Sequence, residues 1–145
     1  MNEADAQRLA ECVAARMFAS DPASQALGMR IVGIAPGRAE MTMAVRGDMV
    51  NGHGICHGGY VFLLADSAFA FACNSHNRNT LAQGCSIEYL APVRVGDVLH
   101  AIGVERSLAG RTGVYDIEVR NQHGKTIALF RGKSYRIDGT VVDAA

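Results

Sequence analysis

Asp66 is a lone carboxylate in an apolar run, and that placement is chemically costly. From Gly58 the chain reads GGYVFLLADSAFAFACNS, in which Asp66 and Ser67 break an otherwise hydrophobic stretch. A charge among Leu63, Leu64, Ala65, Ala68 and Phe69 loses several kcal/mol of solvation unless it is paired, hydrogen-bonded or neutral. In a helix the neighbouring N–H groups are already committed to carbonyls four residues back. Two uses fit such a carboxylate. One is a local bond to a serine, a water or a base; the other is catalysis in a dry cleft.

The second candidate is the start of the same run, His57-Gly58-Gly59. Glycines allow close approach to the backbone, and first-turn N–H groups have no partner inside a helix. The positive end of the helix dipole adds to them, so this terminus can hold a polarised carbonyl or an oxyanion. Tight packing is the plainer explanation for the same glycines. Gly58 and Asp66 lie eight residues apart, about 12 Å along a helix axis. One carbonyl group cannot touch both. Two helices running antiparallel about a twofold near Phe62 would bring Asp66 of one chain to Gly58 of the other. Residues 58, 62 and 66 fall within about 80° on a helical wheel, so one face can carry all three. The expectation is an obligate dimer with sites at its interface.

The elements around these residues follow from periodicity. Ala6, Leu9, Ala10, Val13, Met17 and Phe18 recur at helical spacing within residues 3–19, and Asp21-Pro22 ends that helix. Residues 29–45 read as a hairpin turning at Ala35–Arg38, with Met41, Met43 and Val45 on one face of its second strand. Residues 47–59 form a glycine- and histidine-rich loop feeding the long apolar helix, which is expected to be buried on all sides. Strands at 80–90, 97–108, 111–121 and 125–137 follow as an antiparallel meander. The tail 138–145 is expected to fray. The predicted class is α+β: one long helix wrapped by a curved antiparallel sheet, in a single domain spanning 1–145 with an N-terminal helix over 1–22.

Composition excludes several partner classes. The chain has 145 residues, with 14 basic and 14 acidic side chains and no net charge. A nucleic-acid binder would carry a basic excess. No run of 18 apolar residues offers a transmembrane span, and acids before any apolar run argue against a signal peptide. Four well-separated cysteines without such a signal read as reduced thiols in a cytoplasmic protein. His53, Cys56 and His57 cluster but fall short of a metal-ligand set, so no metal is expected. Cys56 beside His57 makes a poor nucleophile–base pair, because sequential side chains rarely meet. There is no GxSxG elbow.

Asn51, His57-Gly58-Gly59 and Asp66 together resemble the hotdog-fold acyl-CoA thioesterases, and within them the PaaI branch. Tyr89-Leu90-Ala91-Pro92, Gly96-Asp97, Gly110-Arg111 and Phe130-Arg131-Gly132 extend the likeness over roughly residues 25–136. The resemblance implies the hotdog fold, a dimer and usually a homotetramer. It implies that the Gly58 N–H, with that of Gly59, polarises a thioester carbonyl. Asp66 of the partner would act as general base or nucleophile. Asn51 would orient water or the thioester, and His57 would support the loop. Related enzymes often carry Ser or Thr early in the strand after the helix; Ala82 stands there, so that Ser86 or Ser67 substitutes or nothing does. Tyr60 and Phe62, with Phe69, would size the acyl pocket. Arg94, Arg111, Arg131 and Lys133 are candidates for coenzyme A phosphates, Arg94 and Arg111 foremost, although a solvated strand face accounts for such residues equally well. Coenzyme A would be part of the substrate, with no separate cofactor. The expected activity is hydrolysis of phenylacetyl- and hydroxyphenylacetyl-CoA in phenylacetate degradation. A 3-hydroxyacyl thioester dehydratase and a non-catalytic acyl-CoA binder are the alternatives. The dipole of a partner helix is expected to keep Asp66 anionic at neutral pH.

Overall fold

The computed structural model describes residues 1–143. Helix α1 (Glu3–Ala19) starts where the Asn2 side chain accepts from the Asp5 N–H at 2.8 Å. Asp21-Pro22 ends it and also opens a one-turn helix, α2 (Pro22–Ala26), capped by the Asp21 carboxylate. Proline at a first helical position costs no hydrogen bond, so one dipeptide can stop one helix and begin another. Strands β1 (Arg30–Ala35) and β2 (Arg38–Ala44) form the expected hairpin. Met41 and Met43 point into the core from β2. Helix α3 (Gly58–Asn74) is the long apolar helix.

Four further strands follow: β3 (Thr80–Tyr89), β4 (Val98–Ala109), β5 (Thr112–Arg120) and β6 (Thr126–Arg136). The sheet is antiparallel throughout, in the order β1-β2-β4-β5-β6-β3. It is the curved, six-stranded sheet of the hotdog fold. The expected four-strand meander is corrected in one respect. β4, β5 and β6 form hairpins, but β3 pairs with β6 rather than with its neighbour β4. Pattern specifies that a strand exists; its partner is set by which edge the packed helix leaves free.

The concave face holds α3. Leu64, Ala65, Ala68, Phe69 and Ala72 are fully buried against it. Gly132 of β6 makes room for Phe69: a β-carbon there would sit 2.7 Å from the ring. The Phe69 ring also packs at 5.7 Å from Tyr115 and 5.9 Å from Phe130.

At the edges, residues 139–142 of the tail are hydrogen-bonded to the segment after α3. Asn77 accepts from the Val141 and Val142 N–H groups and donates to the Val142 carbonyl, and Asn79 donates its N–H to Gly139. Positions 144 and 145 lie outside the described residues. The apolar helix is also not buried all round by its own chain. Gly59 is exposed, and Phe62, Leu63, Asp66 and Ala70 are only half-buried. These positions form one stripe at helical spacing. Beside them runs β3, an edge strand with nearly every residue exposed, including Leu81 at 56% and Tyr89 at 50%.

Candidate active site

Asp66 lies midway along the open stripe of α3. Its carboxylate has no hydrogen-bond or ion-pair partner among the described residues. Burial first, and the charge of Asp21 second, hold the Asp66 carboxyl above its ordinary value. Both influences favour the neutral acid, and no cation among the described residues offsets them. Ser67 is not its partner: that hydroxyl bonds Ser24 at 2.9 Å. Ser86 is no substitute for the missing hydroxyl either. It lines a hollow on the outer face of the sheet with Glu88, Asp116 and Arg131, because side chains alternate along β3.

The helix start is built by the preceding loop. Asn51 accepts from the His53 N–H at 2.9 Å and the Ile55 N–H at 3.1 Å, closing the turn. Its carbonyl oxygen therefore shapes the loop, and its amide nitrogen donates to no group among the described residues. His57 is exposed at the N-cap and makes no side-chain cap bond, while its N–H donates to Met49 at 2.9 Å. The loop is thus held by the His57 backbone rather than by its imidazole. The N–H groups of Gly58 and Gly59 donate to no group among the described residues.

The two glycines are glycines for different reasons. A β-carbon on Gly58 would lie 2.8 Å from Cζ of Tyr89, whereas one on Gly59 would meet nothing within 4 Å. Packing accounts for Gly58; open approach is a property of Gly59. A hollow of about 490 Å³ adjoins this end, lined by Ile55, Cys56, Gly58, Val61, Ile127 and residues 89–93. A larger groove of about 820 Å³ between α1 and β1 contains none of the expected site residues.

The remaining candidates separate. Phe62 stacks edge-on against Phe130 at 5.2 Å, and the Tyr60 hydroxyl points to the Asp48 carbonyl at 3.5 Å. Arg94 bridges to Ile55 and stays exposed beside the loop. Arg111 sits at the other end of the chain's sheet, donating to the Arg136 carbonyl and to Asp138. Arg131 is taken up by a two-point bond to Asp116 on the outer face. Tyr89 was missed by sequence reasoning; only its place in the Tyr-Leu-Ala-Pro segment could have flagged it. No three His, Cys, Asp or Glu side chains converge on a possible metal position among the described residues.

Within one chain, then, an unpaired carboxylate and a set of unpaired backbone donors share an open helix face but stand a helix half-length apart. Comparison with known proteins gives this arrangement a context. The thioesterase superfamily model matches residues 53–128. The acyl-coenzyme A thioesterase PaaI of Escherichia coli is 49% identical over 129 residues, covering 89% of this chain and 92% of that one. The structure of the E. coli PaaI protein from the phenylacetic acid degradation operon superposes with a TM-score of 0.91 at 48% identity, covering 92% of this chain and 97% of that one. A hypothetical thioesterase protein from Streptococcus pneumoniae, solved with coenzyme A, superposes with a TM-score of 0.75 at 25% identity, covering 77% of this chain and 88% of that one. With its wrapped helix, glycine start and half-buried acid, the chain belongs to the thioesterase superfamily, as a thioester hydrolase of the hotdog fold.

Proposed function

We propose that this chain is a single-domain acyl-CoA thioesterase that hydrolyses arylacetyl thioesters, of the phenylacetyl-CoA and hydroxyphenylacetyl-CoA class, in phenylacetate degradation. The likeness to PaaI, whose structure comes from a phenylacetic acid degradation operon, supports that substrate class. The observation that carries the mechanism is the unpaired Asp66 on a half-covered stripe of the helix whose first turn offers free N–H groups.

In this reading two chains associate through the open stripe of α3 and the exposed edge strand β3. Association would cover Phe62, Leu63 and Leu81 and place Asp66 of one copy near Gly58 and Gly59 of the other. The isologous contact creates two equal sites, and two such dimers make the tetramer. The thioester oxygen accepts from the glycine N–H groups, which stabilise the negative charge that develops on it. The partner's Asp66 takes a proton from water as the oxygen attacks the carbonyl carbon; the C–S bond then breaks, that proton passes from Asp66 to the sulfur, and coenzyme A leaves as the thiol. Direct attack by the carboxylate is the other route. Single turnover in isotope-labelled water separates them, because only attack by the carboxylate leaves label in Asp66. Asn51 orients the water or the thioester through its free amide, and His57 flanks the carbonyl end. Gly59, Tyr60 and Phe62 border the acyl group, and Arg94 and Arg111 meet coenzyme A phosphates. Because Arg111 is at the far end of its own chain, it would reach the site of the opposite copy. The reaction as written uses no metal and no cofactor beyond the substrate's own coenzyme A. We place the enzyme in the cytoplasm; no helix among the described residues is long and apolar enough to cross a membrane.

The test is a panel of CoA esters with wild type and Asp66→Ala. Thiol release from arylacetyl-CoA that is lost in the variant supports the reading. Enoyl product without thiol would make the chain a dehydratase, and binding without turnover in both proteins would make it a carrier. A monomer of full activity would refute the interfacial site.

A further inference from the structure

The hydrolytic scheme gives no task to the N-terminal arm of α1 and α2, yet that arm bonds α3 one residue from Asp66. The inner side of the arm is apolar: Ala10, Val13 and Ala14 are buried, and the Phe18 ring lies 6.3 Å from that of Phe71. One polar chain interrupts this seam. The Ser67 hydroxyl meets that of Ser24 at 2.9 Å, and Ser24 donates to the Asp21 carboxylate at 2.7 Å. Both serines are buried, at 2% exposure for Ser24 and 6% for Ser67. The single Ser24 hydroxyl proton is spent on Asp21, so Ser67 is the donor to Ser24. A serine inside a helix ordinarily bonds the carbonyl one turn back, here that of Leu63. Ser67 reaches across to another element instead. Asp21 is held at both oxygens, because its Oδ1 accepts from the Ser24 N–H at 3.0 Å.

This clasp fixes a second carboxylate next to the stretch of α3 that carries Asp66. Cys73 of α3 and Cys85 of β3 are the other titratable groups near Asp66 among the described residues. Burial pushes both thiols up, that of Cys73 to about 12, so neither is charged at neutral pH. Asp21 is then the charge that bears on Asp66 within the chain. A fixed neighbouring anion disfavours a second one, and the effect fades as the anion turns into water.

We propose that Ser24 and Ser67 are positioning residues whose hydrogen-bonded chain pins Asp21 beside Asp66, so that the N-terminal arm sets the pH range in which the catalytic carboxylate works. The proposal rests on Asp66 being the general base or nucleophile of the thioesterase.

Ser24→Ala cuts the chain and frees one Asp21 oxygen while leaving the backbone cap of α2. Ser67→Ala cuts the chain alone, and Ser67→Thr keeps the hydroxyl. The acid limb of the kcat/KM profile should move about 0.3–0.5 pH unit to lower pH in Ser24→Ala. It should move in the same direction but less far in Ser67→Ala, and stay in place in Ser67→Thr. Activity on the plateau should change less than twofold in all three. In an Asp21→Asn background, Ser24→Ala should add no further shift, because the charge it positions is gone. An unmoved limb in Ser24→Ala, even with a lowered melting temperature, shows packing alone and overturns the proposal. A further shift in the Asp21→Asn background overturns it too. Should Ser24→Ala fail to fold, Ser67→Ala is read by the same two criteria. Wild-type thiol release leaves the thioesterase reading standing through each of these failures; wild type that releases no thiol from any CoA ester overturns both.

Discussion

The two ends of α3 are built on opposite principles. At its C-terminal end short polar side chains meet several backbone groups. Asn74 donates to the Ala70 and Thr80 carbonyls and accepts from the Thr80 N–H. Ser75 donates to the Ala72 carbonyl and accepts from the Gly37 N–H, both at 2.7 Å. Asn77 takes the left-handed backbone conformation, with φ of 61°, and ties down the tail. Glu105 accepts from the buried Tyr115 hydroxyl at 2.7 Å and pairs with His76 at 2.8 Å nearby. At the N-terminal end the donors of Gly58 and Gly59 are unmet, His57 caps nothing, and Asp66 farther along has no partner. In the proposed reading, the end with unmet polar groups is the one that receives a ligand and a second chain, while the satisfied end holds the fold together.

The sharpest way to break this contrast is at Asp66. Asp66→Asn should lower kcat about 10³-fold, within the range for losing a general base or nucleophile. It should not lower the melting temperature, because it removes an uncompensated carboxylate. A parallel fall in stability would move Asp66 to the structural side. At the satisfied end, Asn77→Ala should cost about 2–3 kcal/mol of unfolding free energy, from three lost hydrogen bonds and a strained φ, read by urea denaturation. Its kcat should be unaffected; a loss there would mean that the two ends are coupled.

The glycine pair divides the functional end itself. Gly58→Ala should cost about 1–3 kcal/mol, since its methyl group must displace the Tyr89 ring. Gly59→Ala should stabilise the fold by up to about 1 kcal/mol, because alanine suits a helix better and the site is open. The same methyl should lower kcat/KM by standing where the substrate approaches. Thermal melts and thiol-release kinetics on both variants check the split.

The smallest effect concerns pH. The neutral form of Asp66 is favoured by burial and by Asp21. A carboxyl with a folded-state pKa above its unfolded value binds its proton more tightly when native. Stability therefore falls as pH rises from the ordinary aspartate range to the raised value. Activity that needs the anion is lost on the acid side of that value. Asp21→Asn keeps an oxygen for capping α2 and removes the charge, so the acid limb of the pH–rate profile should move to lower pH. An unmoved limb would mean that a partner's helix end, rather than Asp21, governs the acid.

Much of this was legible beforehand. The bounds of α1 and α3, the first hairpin and the inward methionines follow from periodicity, which local side-chain spacing encodes directly. The unusual acid was legible because a carboxylate in an apolar helix contradicts its own context. The pairing of β3 with β6, the anchoring of the tail by Asn77, the outward turn of Ser86 and the Tyr89 hydroxyl on Gly58 were not. Each depends on residues far apart in sequence, and no local pattern records which distant edge a strand will meet.

By itself the sequence determined that a long apolar helix would be wrapped by strands, and that one acid and two glycines on it called for an explanation. Hydrophobic periodicity and the cost of burying charge act within a few residues, so they can be read along the chain. Only the tertiary structure decided which face of that helix stayed open and which aromatic ring claimed Gly58. Those outcomes depend on how far the sheet curls before its edges run out, a property of the whole packed chain.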